Sequence, residues 1–179
     1  YFNQVSCLYY ETFDTIYGSK GELCSDEDVL SFAESKGFMS AKHILLSKIS
    51  PEGEELPEEE QAEKQKLAQE LLGRLRSCET DEERLSLFDE LMNEYSDDPG
   101  LLYYPDGYCF SPGKMVGAFE EAVKSLEEYE ISDIVETNFG YHIILRLPLD
   151  PNAVVEYYSE TEQYDLRYVA AVAMYDSLF

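Results

Sequence analysis

The stretch "GYHIILRL" at residues 140–147 decides how the chain can fold. A dense apolar run without a helical period predicts a β-strand, and His142 stands near its start. The same order returns in "AKHILLSK" at residues 41–48, where His43 also precedes three branched apolar residues. These are the only two histidines in the chain. Their matched settings raise the question of whether the two strands are neighbours in one sheet.

The composition indicates a folded and strongly acidic chain. It has 179 residues, 44% of them hydrophobic, which suits one ordinary domain or one domain with a small companion. The 13 basic and 38 acidic residues give a formal charge of −25, which repels nucleic acids and anionic membrane surfaces. The sequence has no run of about 18 apolar residues that would span a membrane, and its first ten residues do not resemble a signal peptide. We therefore expect no nucleic-acid partner and no membrane insertion of this chain.

Hydrophobic periodicity predicts helices on both sides of the strands. Ser25 with Asp28, and Thr80 with Glu83, have the spacing of capping pairs at helix N-termini. Because strands and helices do not alternate one for one, the order favours an α+β fold with a small antiparallel sheet surrounded by helices. The predicted helices cover 4–18, 26–36, a stretch ending at 76, a stretch after Thr80, about 115–126 and about 160–178, and the predicted strands cover 40–49, 133–136 and 141–147.

Common catalytic and metal-binding motifs are missing from the sequence. It has no GxSxG, GxGxxG, GxxxxGK[ST] or HExxH pattern, and none of its four cysteines forms a CxxC pair. We therefore expect neither a metal ion nor a cofactor. Both interpretations of the cysteines stay open, as isolated thiols or as two disulfide bonds.

The histidine pair needs a different explanation. Strand alternation places His43 on the same face as Leu45, and His142 on the same face as Ile144. A single histidine in such a strand is most often a core residue with its hydrogen bonds satisfied. Two histidines on neighbouring strands can bond to each other across the sheet, where they would form the polar floor of a pocket.

Four segments in register carry a family resemblance. From residue 41 to residue 147 the chain resembles the parvulin-type peptidyl-prolyl isomerases, through "AKHILL", "YSDDPG", "FSPGKMVGAFEEAV" and "EISDIVETNFGYHIILRL". The flanking segments resemble, more weakly, the satellite region of extracytoplasmic foldases of the PrsA and SurA type. The resemblance therefore implies a parvulin-like prolyl isomerase domain at 40–147. It also implies a small helical, chaperone-like satellite region built from 1–39 and 148–179.

The resemblance implies a role for each matching residue. His43 and His142 match the paired active-site histidines, and Asp98 matches a position held by Asp or Cys, so these three form the predicted catalytic set. Met115 and Phe119 match the apolar residues that hold the proline ring. By spacing alone, these two are more typical of ordinary core side chains, and Asp98 is typical of a turn. The predicted substrate-binding set is completed by Phe139, Tyr108, Phe110 and Thr137.

Two segments depart from the pattern of the family. "YPDGYCF" at 104–110 stands where the family usually has GGDLGxF, so Gly107 occupies the position of a common pocket-lining leucine. The loop "SKISPEGEE" at 47–55 is acidic, whereas phospho-specific members carry a basic cluster there. We therefore expect a prolyl isomerase without a preference for phosphorylated substrates.

The function that the resemblance implies is catalysis of rotation about X-Pro bonds in unfolded client proteins, by a foldase without cofactor or metal. The alternative is a chaperone or binding module with a parvulin fold and weak or no isomerase activity, which the "YPDGYCF" segment keeps open. An acidic scaffold would explain the charge but not the four segments. The resemblance also implies an extracytoplasmic location, as a secreted protein or a cell-surface lipoprotein with its lipid anchor outside this chain, in monomeric or dimeric form.

Overall fold

The computed structural model describes residues 2–159 and 162–178, with side chains from residue 8 onward. The described chain divides into two compact units. We call the first the terminal unit; it contains the described residues of Tyr1–Phe38, Tyr108–Ser111 and Leu149–Phe179. We call the second the sheet unit; it contains Met39–Gly107 and Pro112–Pro148.

Six helices and six strands follow one another along the described residues. The helices are α1 Phe2–Tyr17, α2 Asp26–Ser35, α3 Glu58–Arg76, α4 Asp81–Tyr95, α5 Gly117–Ser125 and α6 Leu166–Asp176, with a 3₁₀ helix at Pro99–Leu102. The strands are β1 Met39–Ser47, β2 Tyr108–Phe110, β3 Val135–Glu136, β4 Gly140–Leu147, β5 Val154–Ser159 and β6 Glu162–Asp165. Within the sheet unit, β1, β4 and β3 are hydrogen-bonded neighbours in that order, and within the terminal unit β5 and β6 form a hairpin. The predicted α+β class is therefore confirmed.

The two histidine-bearing strands, β1 and β4, are antiparallel neighbours, as the sequence predicts. His43 lies opposite Ile144, and Leu45 lies opposite His142, so the two histidines are diagonal neighbours on one face. The close approach of β4 to β1 begins at Gly140, where a Cβ atom would collide with the carbonyl group of Leu46. A glycine at the start of β4 is therefore needed for this register.

The opposite face of β1 and β4 carries the core of the sheet unit. Ile44 on β1 and Ile143 on β4 are fully buried there against α3 and α4. Both faces of the two strands are thus covered, which explains why the apolar runs are continuous rather than alternating. The buried residues of this core are Ile44, Leu46, Ala68, Leu71, Leu72, Leu75, Phe88, Leu91, Met92, Tyr141, Ile143 and Leu145.

The capping predictions for α2 and α4 are confirmed. The Ser25 hydroxyl accepts a hydrogen bond from the backbone N–H of Asp28 at 3.1 Å. The Thr80 hydroxyl accepts one from the backbone N–H of Glu83 at 3.2 Å. Each side chain satisfies a donor that would otherwise be orphaned in the first turn of its helix.

The terminal unit differs from the sequence prediction in two places. A helix was expected from about residue 160, but the chain forms the β5–β6 hairpin, and α6 begins only at Leu166. The start is fixed by Asp165, whose carboxylate accepts the backbone N–H of Tyr168 at 2.8 Å. The β-branched and aromatic residues before it, such as Val154 and Tyr157, suit a strand. The strand β2 was also missed, because its three residues lie in a segment rich in turn residues.

Two further observations concern membranes and thiols. In the described part of the chain, no helix combines the length and apolarity needed to cross a membrane.

Cys24, Cys78 and Cys109 are free thiols, and burial raises the pKa of Cys109 to about 12. The side chain of Cys7 lies outside the described residues.

Candidate functional site

The two histidines meet on the face of the sheet that lies opposite the core of the sheet unit. Nδ1 of His43 lies 3.0 Å from Nδ1 of His142, and the two rings are nearly parallel, with an interplanar angle of 14°. Both side chains are buried. A hydrogen bond between two buried ring nitrogens requires one to donate and the other to accept, which couples the tautomers of the two residues.

Asp98 reaches the outer nitrogen of this pair. Its Oδ2 lies 2.9 Å from Nε2 of His43, and its Oδ1 accepts the backbone N–H of Gly100 at 3.1 Å. The residues before it are bound along β1, since the backbone N–H of Asp97 donates to the Leu45 carbonyl at 2.8 Å. The sheet therefore positions the carboxylate of Asp98, although the sequence predicted only a turn there from spacing alone.

Thr137 closes the other end of the chain of bonds. Its Oγ1 lies 2.8 Å from Nε2 of His142 and accepts the backbone N–H of Phe139 at 3.1 Å. A hydroxyl group can accept one hydrogen bond and donate another, so Thr137 can donate its hydroxyl hydrogen to Nε2 of His142. Thr137, which the sequence assigned to substrate binding, thus contacts the histidine pair directly.

One assignment of hydrogens satisfies every bond with both imidazoles neutral. His43 donates from Nε2 to the Asp98 carboxylate, so its Nδ1 accepts from Nδ1–H of His142. His142 then accepts at Nε2 from the Thr137 hydroxyl. All the hydrogens point toward Asp98, whose negative charge the neutral rings do not cancel.

The electrostatics of His142 favour its neutral form. The pKa of His142 is lowered from 6.5 to about 4, chiefly by burial and to a smaller extent by the neighbouring His43, against an opposing effect of Asp98. At neutral pH His142 is therefore uncharged. The site is a carboxylate held by a neutral hydrogen-bonded chain, rather than a cluster of cations.

Phe119 covers the histidine pair from α5. Its ring lies edge-on to His43, with centroids 5.2 Å apart, and edge-on to His142, with centroids 5.8 Å apart. The ring is buried, as expected for one wall of an apolar pocket above the polar floor. The structure thus brings Phe119 to the predicted catalytic residues.

Glu120 is a site residue that the sequence did not identify. Its carboxylate is buried and accepts the backbone N–H groups of Gly113 at 2.8 Å and of Met115 at 2.9 Å. The bond from Met115, the largest effect, lowers the pKa of Glu120, although burial opposes it. Met115 precedes α5 rather than belonging to it, and is half-buried. Glu120 therefore fixes the loop that contains Met115. The sequence did not indicate this role, because Glu120 and Glu121 together look like ordinary surface residues of a helix.

The remaining predicted substrate-binding residues are dispersed. Phe139 lies two residues after Thr137 and is 55% exposed, so its ring is available to a ligand. Tyr108 and Phe110 lie on β2, where Phe110 is buried and Tyr108 is half-buried, and their place in a proline pocket stays a prediction. Within residues 2–159 and 162–178, no three or more His, Cys, Asp or Glu side chains group as metal ligands would.

Comparison with known proteins gives one family and several relatives. Residues 30–146, well over half of the chain, match the PPIC-type PPIase domain. A stretch of 58 residues is 52% identical to foldase protein PrsA of Geobacillus kaustophilus and covers 32% of this chain and 21% of that protein. Foldase protein PrsA of Halalkalibacterium halodurans is 33% identical over 123 residues, 57% of this chain and 35% of that protein.

Several solved structures align with nearly the whole chain. The crystal structure of PrsA from Bacillus subtilis is 23% identical, with a TM-score of 0.48, over 96% of this chain and 55% of that one. The chain thus spans well under two thirds of the length of these relatives. The four segments predicted the resemblance to parvulin-type isomerases, and the flanking segments predicted the resemblance to PrsA-type foldases. Both are confirmed by the family match and the curated relatives.

Proposed function

Because the chain belongs to the family of PPIC-type peptidyl-prolyl isomerase domains, we propose that it catalyses cis-trans rotation of X-Pro bonds in polypeptide clients. The observation that carries this proposal is the buried chain of hydrogen bonds from Thr137 through both histidines to Asp98, covered by Phe119. The apolar ring of Phe119 and the fixed carboxylate of Asp98 suit the isomerisation of a peptide bond, because this reaction breaks no covalent bond and needs no nucleophile.

The reaction asks for stabilisation of a twisted amide. Rotation about a peptide bond faces a barrier of about 18–20 kcal/mol, because resonance is lost when the amide twists. The two X-Pro isomers lie within about 1 kcal/mol of each other, yet exchange takes tens to hundreds of seconds. A catalyst must therefore bind the twisted form more tightly than either planar form.

The side chains of the site divide this task. Phe119 and Met115 anchor the proline ring and remove water from the amide, which weakens its charge-separated resonance form. Asp98 lies near the rotating carbonyl, where its negative charge disfavours the planar form with a negative oxygen. His43 and His142 hold Asp98 in place without cancelling its charge. No nucleophile, metal or cofactor takes part in these steps.

Clients of the proposed enzyme are unfolded, proline-containing polypeptides. The described surface of the terminal unit exposes large apolar side chains, among them Leu8, Tyr10 and Leu23. Exposed apolar residues of this kind support weak binding of unfolded chains, the role proposed for a satellite region of 1–39 and 148–179. The resemblance to extracytoplasmic foldases supports action outside the cytoplasm, as a secreted protein or a surface lipoprotein. The second candidate function is client binding alone.

A refolding experiment separates the two functions. A test protein whose slow refolding phase is limited by proline isomerisation is mixed with substoichiometric amounts of the chain. An isomerase accelerates the slow phase, and Phe119→Ala should abolish most of that acceleration, whereas Leu102→Ala, which removes an exposed leucine, should keep it. A binding module would suppress aggregation only at stoichiometric amounts and leave the slow rate unchanged.

A further inference from the structure

A groove of about 640 Å³ in the sheet unit adjoins the catalytic residues. Leu45, two residues from His43 on β1, lies in its wall, as do Pro99, next to Asp98, and Phe139, bound through its N–H to Thr137. Three elements of the proposed site therefore continue into this groove. It is lined by Leu45, Ser47, Ile49, Ser50, Pro51, Leu56, Glu60, Lys64, Asp97, Pro99 and Phe139.

The loop that forms one side of the groove is held in a defined shape. The backbone N–H of Leu56 donates to the Lys48 carbonyl at 2.7 Å, and that of Ser50 donates to the Glu54 carbonyl at 2.7 Å. Ile49 and Glu55 form an isolated antiparallel bridge. The groove is thus a built feature of the fold rather than a gap between mobile segments.

The charges around this groove are negative. Residues 47–64 contain seven glutamates and two lysines. Both lysines already have carboxylate partners, Lys64 with Asp97 at 2.6 Å and Lys48 with Glu136 at 2.8 Å. Glu60 lines the groove, is exposed and makes no ion pair among the described residues. An anionic ligand would find no available cation here, whereas a cationic one would find an unneutralised carboxylate.

From this geometry we infer that the groove binds a lysine or arginine side chain next to the client's proline; the inference rests on the proposed isomerase function. The aliphatic stem of such a side chain covers the apolar floor of Leu45, Ile49 and Phe139, while its charged head reaches Glu60 and the glutamate-rich loop. A purely apolar side chain would contact only the apolar residues of the groove. An acidic or phosphorylated side chain would be repelled by Glu60 and the glutamate-rich loop.

Matched peptides test this inference. Tetrapeptides that carry lysine, norleucine or glutamate before the proline share a similar stem length but differ in charge. For the wild-type chain we expect kcat/KM to be about fivefold higher for lysine than for norleucine, the upper range of an exposed ion pair, and lowest for glutamate. Added salt, at about 0.5 M NaCl, should reduce the lysine preference, because it screens exposed charges.

A charge variant assigns the preference to the groove. Glu60→Gln should lower the lysine-to-norleucine ratio toward one, whereas Glu70→Gln, an exposed site on the same helix α3, should leave the ratio as in the wild type. Equal turnover of the lysine, norleucine and glutamate peptides would overturn the inference while leaving the isomerase proposal standing. If no peptide is turned over, the isomerase proposal fails. Fluorescence-anisotropy Kd values for the same peptides then decide the groove, and equal Kd values would overturn it.

Discussion

Nδ1 of His43 and Nδ1 of His142 lie 3.0 Å apart, so the tautomer of one imidazole sets the tautomer of the other. With Asp98 accepting from His43 and Thr137 available to donate, both rings are satisfied in the neutral state only if the shared hydrogen belongs to His142. We therefore predict the Nε2–H tautomer for His43 and the Nδ1–H tautomer for His142 at neutral pH. Nitrogen-15 chemical shifts of the two rings measure this directly, and two identical tautomers would contradict it.

The low pKa of His142 predicts a dependence of stability on pH. The unfolded chain binds a proton at His142 near pH 6.5, whereas the folded chain does so only near pH 4. Stability from this residue is therefore complete above pH 6.5 and is lost as the pH falls toward 4. Between about pH 7 and about pH 5 the loss should be about 2 kcal/mol.

Chemical denaturation of the wild type and of His142→Asn at both pH values measures that loss. The many carboxylates titrate in both proteins, so the difference between the two isolates the histidine. The variant should lose about 2 kcal/mol less than the wild type over this interval. Equal losses would show that His142 titrates alike in the folded and unfolded chains.

Removing the charge of Asp98 should cost activity more than stability. Asn keeps the size of the side chain and one carbonyl oxygen, so Asp98→Asn should lower the free energy of unfolding by only about 1 kcal/mol. The charge near the rotating carbonyl is lost, and kcat/KM on a proline tetrapeptide should fall at least about tenfold. Full activity in Asp98→Asn or Asp98→Ala would remove the electrostatic part of the mechanism.

Glu120 should act as a positioning residue for Met115. Glu120→Ala leaves two backbone N–H groups without their acceptor, which should cost about 1–3 kcal/mol of stability. Because the loop that holds Met115 against the substrate proline becomes less fixed, KM should rise about fivefold with a smaller change in kcat. Glu120→Gln should restore much of the lost stability and substrate binding.

The neighbouring glutamate provides the control for this prediction. Glu121 is exposed and pairs only with Lys124 among the described residues, so Glu121→Ala should change stability by less than about 0.5 kcal/mol and leave KM unchanged. A purely structural role for Glu120 would lower the melting temperature without changing KM in the folded protein. That outcome would contradict the positioning role.

The parts of the fold that the sequence predicted are those specified locally or by strong patterns. The continuous apolar runs around His43 and His142 predicted two strands, and the family resemblance indicated that these strands lie side by side. The caps at Ser25 and Thr80 depend on residues three positions apart. Interactions of this range can be predicted without the tertiary structure.

The missed features depend on distant contacts. Glu120 resembles a solvent-facing helical residue, and only the path of the loop before α5 buries it. The position of Asp98 is set by bonds between residues 96–97 and β1, about fifty positions away along the chain. The β5–β6 hairpin is short, and a helix was predicted from about residue 160, in place of its second strand. The periodicity of the sequence cannot predict contacts between residues that lie far apart along the chain.

The most direct test is the rate of cis-trans exchange measured by magnetisation-exchange NMR on a proline peptide. Without a catalyst this exchange takes tens to hundreds of seconds and gives no exchange cross-peaks at sub-second mixing times. With a catalytic amount of the chain we predict clear cross-peaks, strongly reduced for Asp98→Asn. An exchange rate that stays at the uncatalysed value in the presence of folded chain would contradict the assignment of the Thr137–His142–His43–Asp98 site as an isomerase centre.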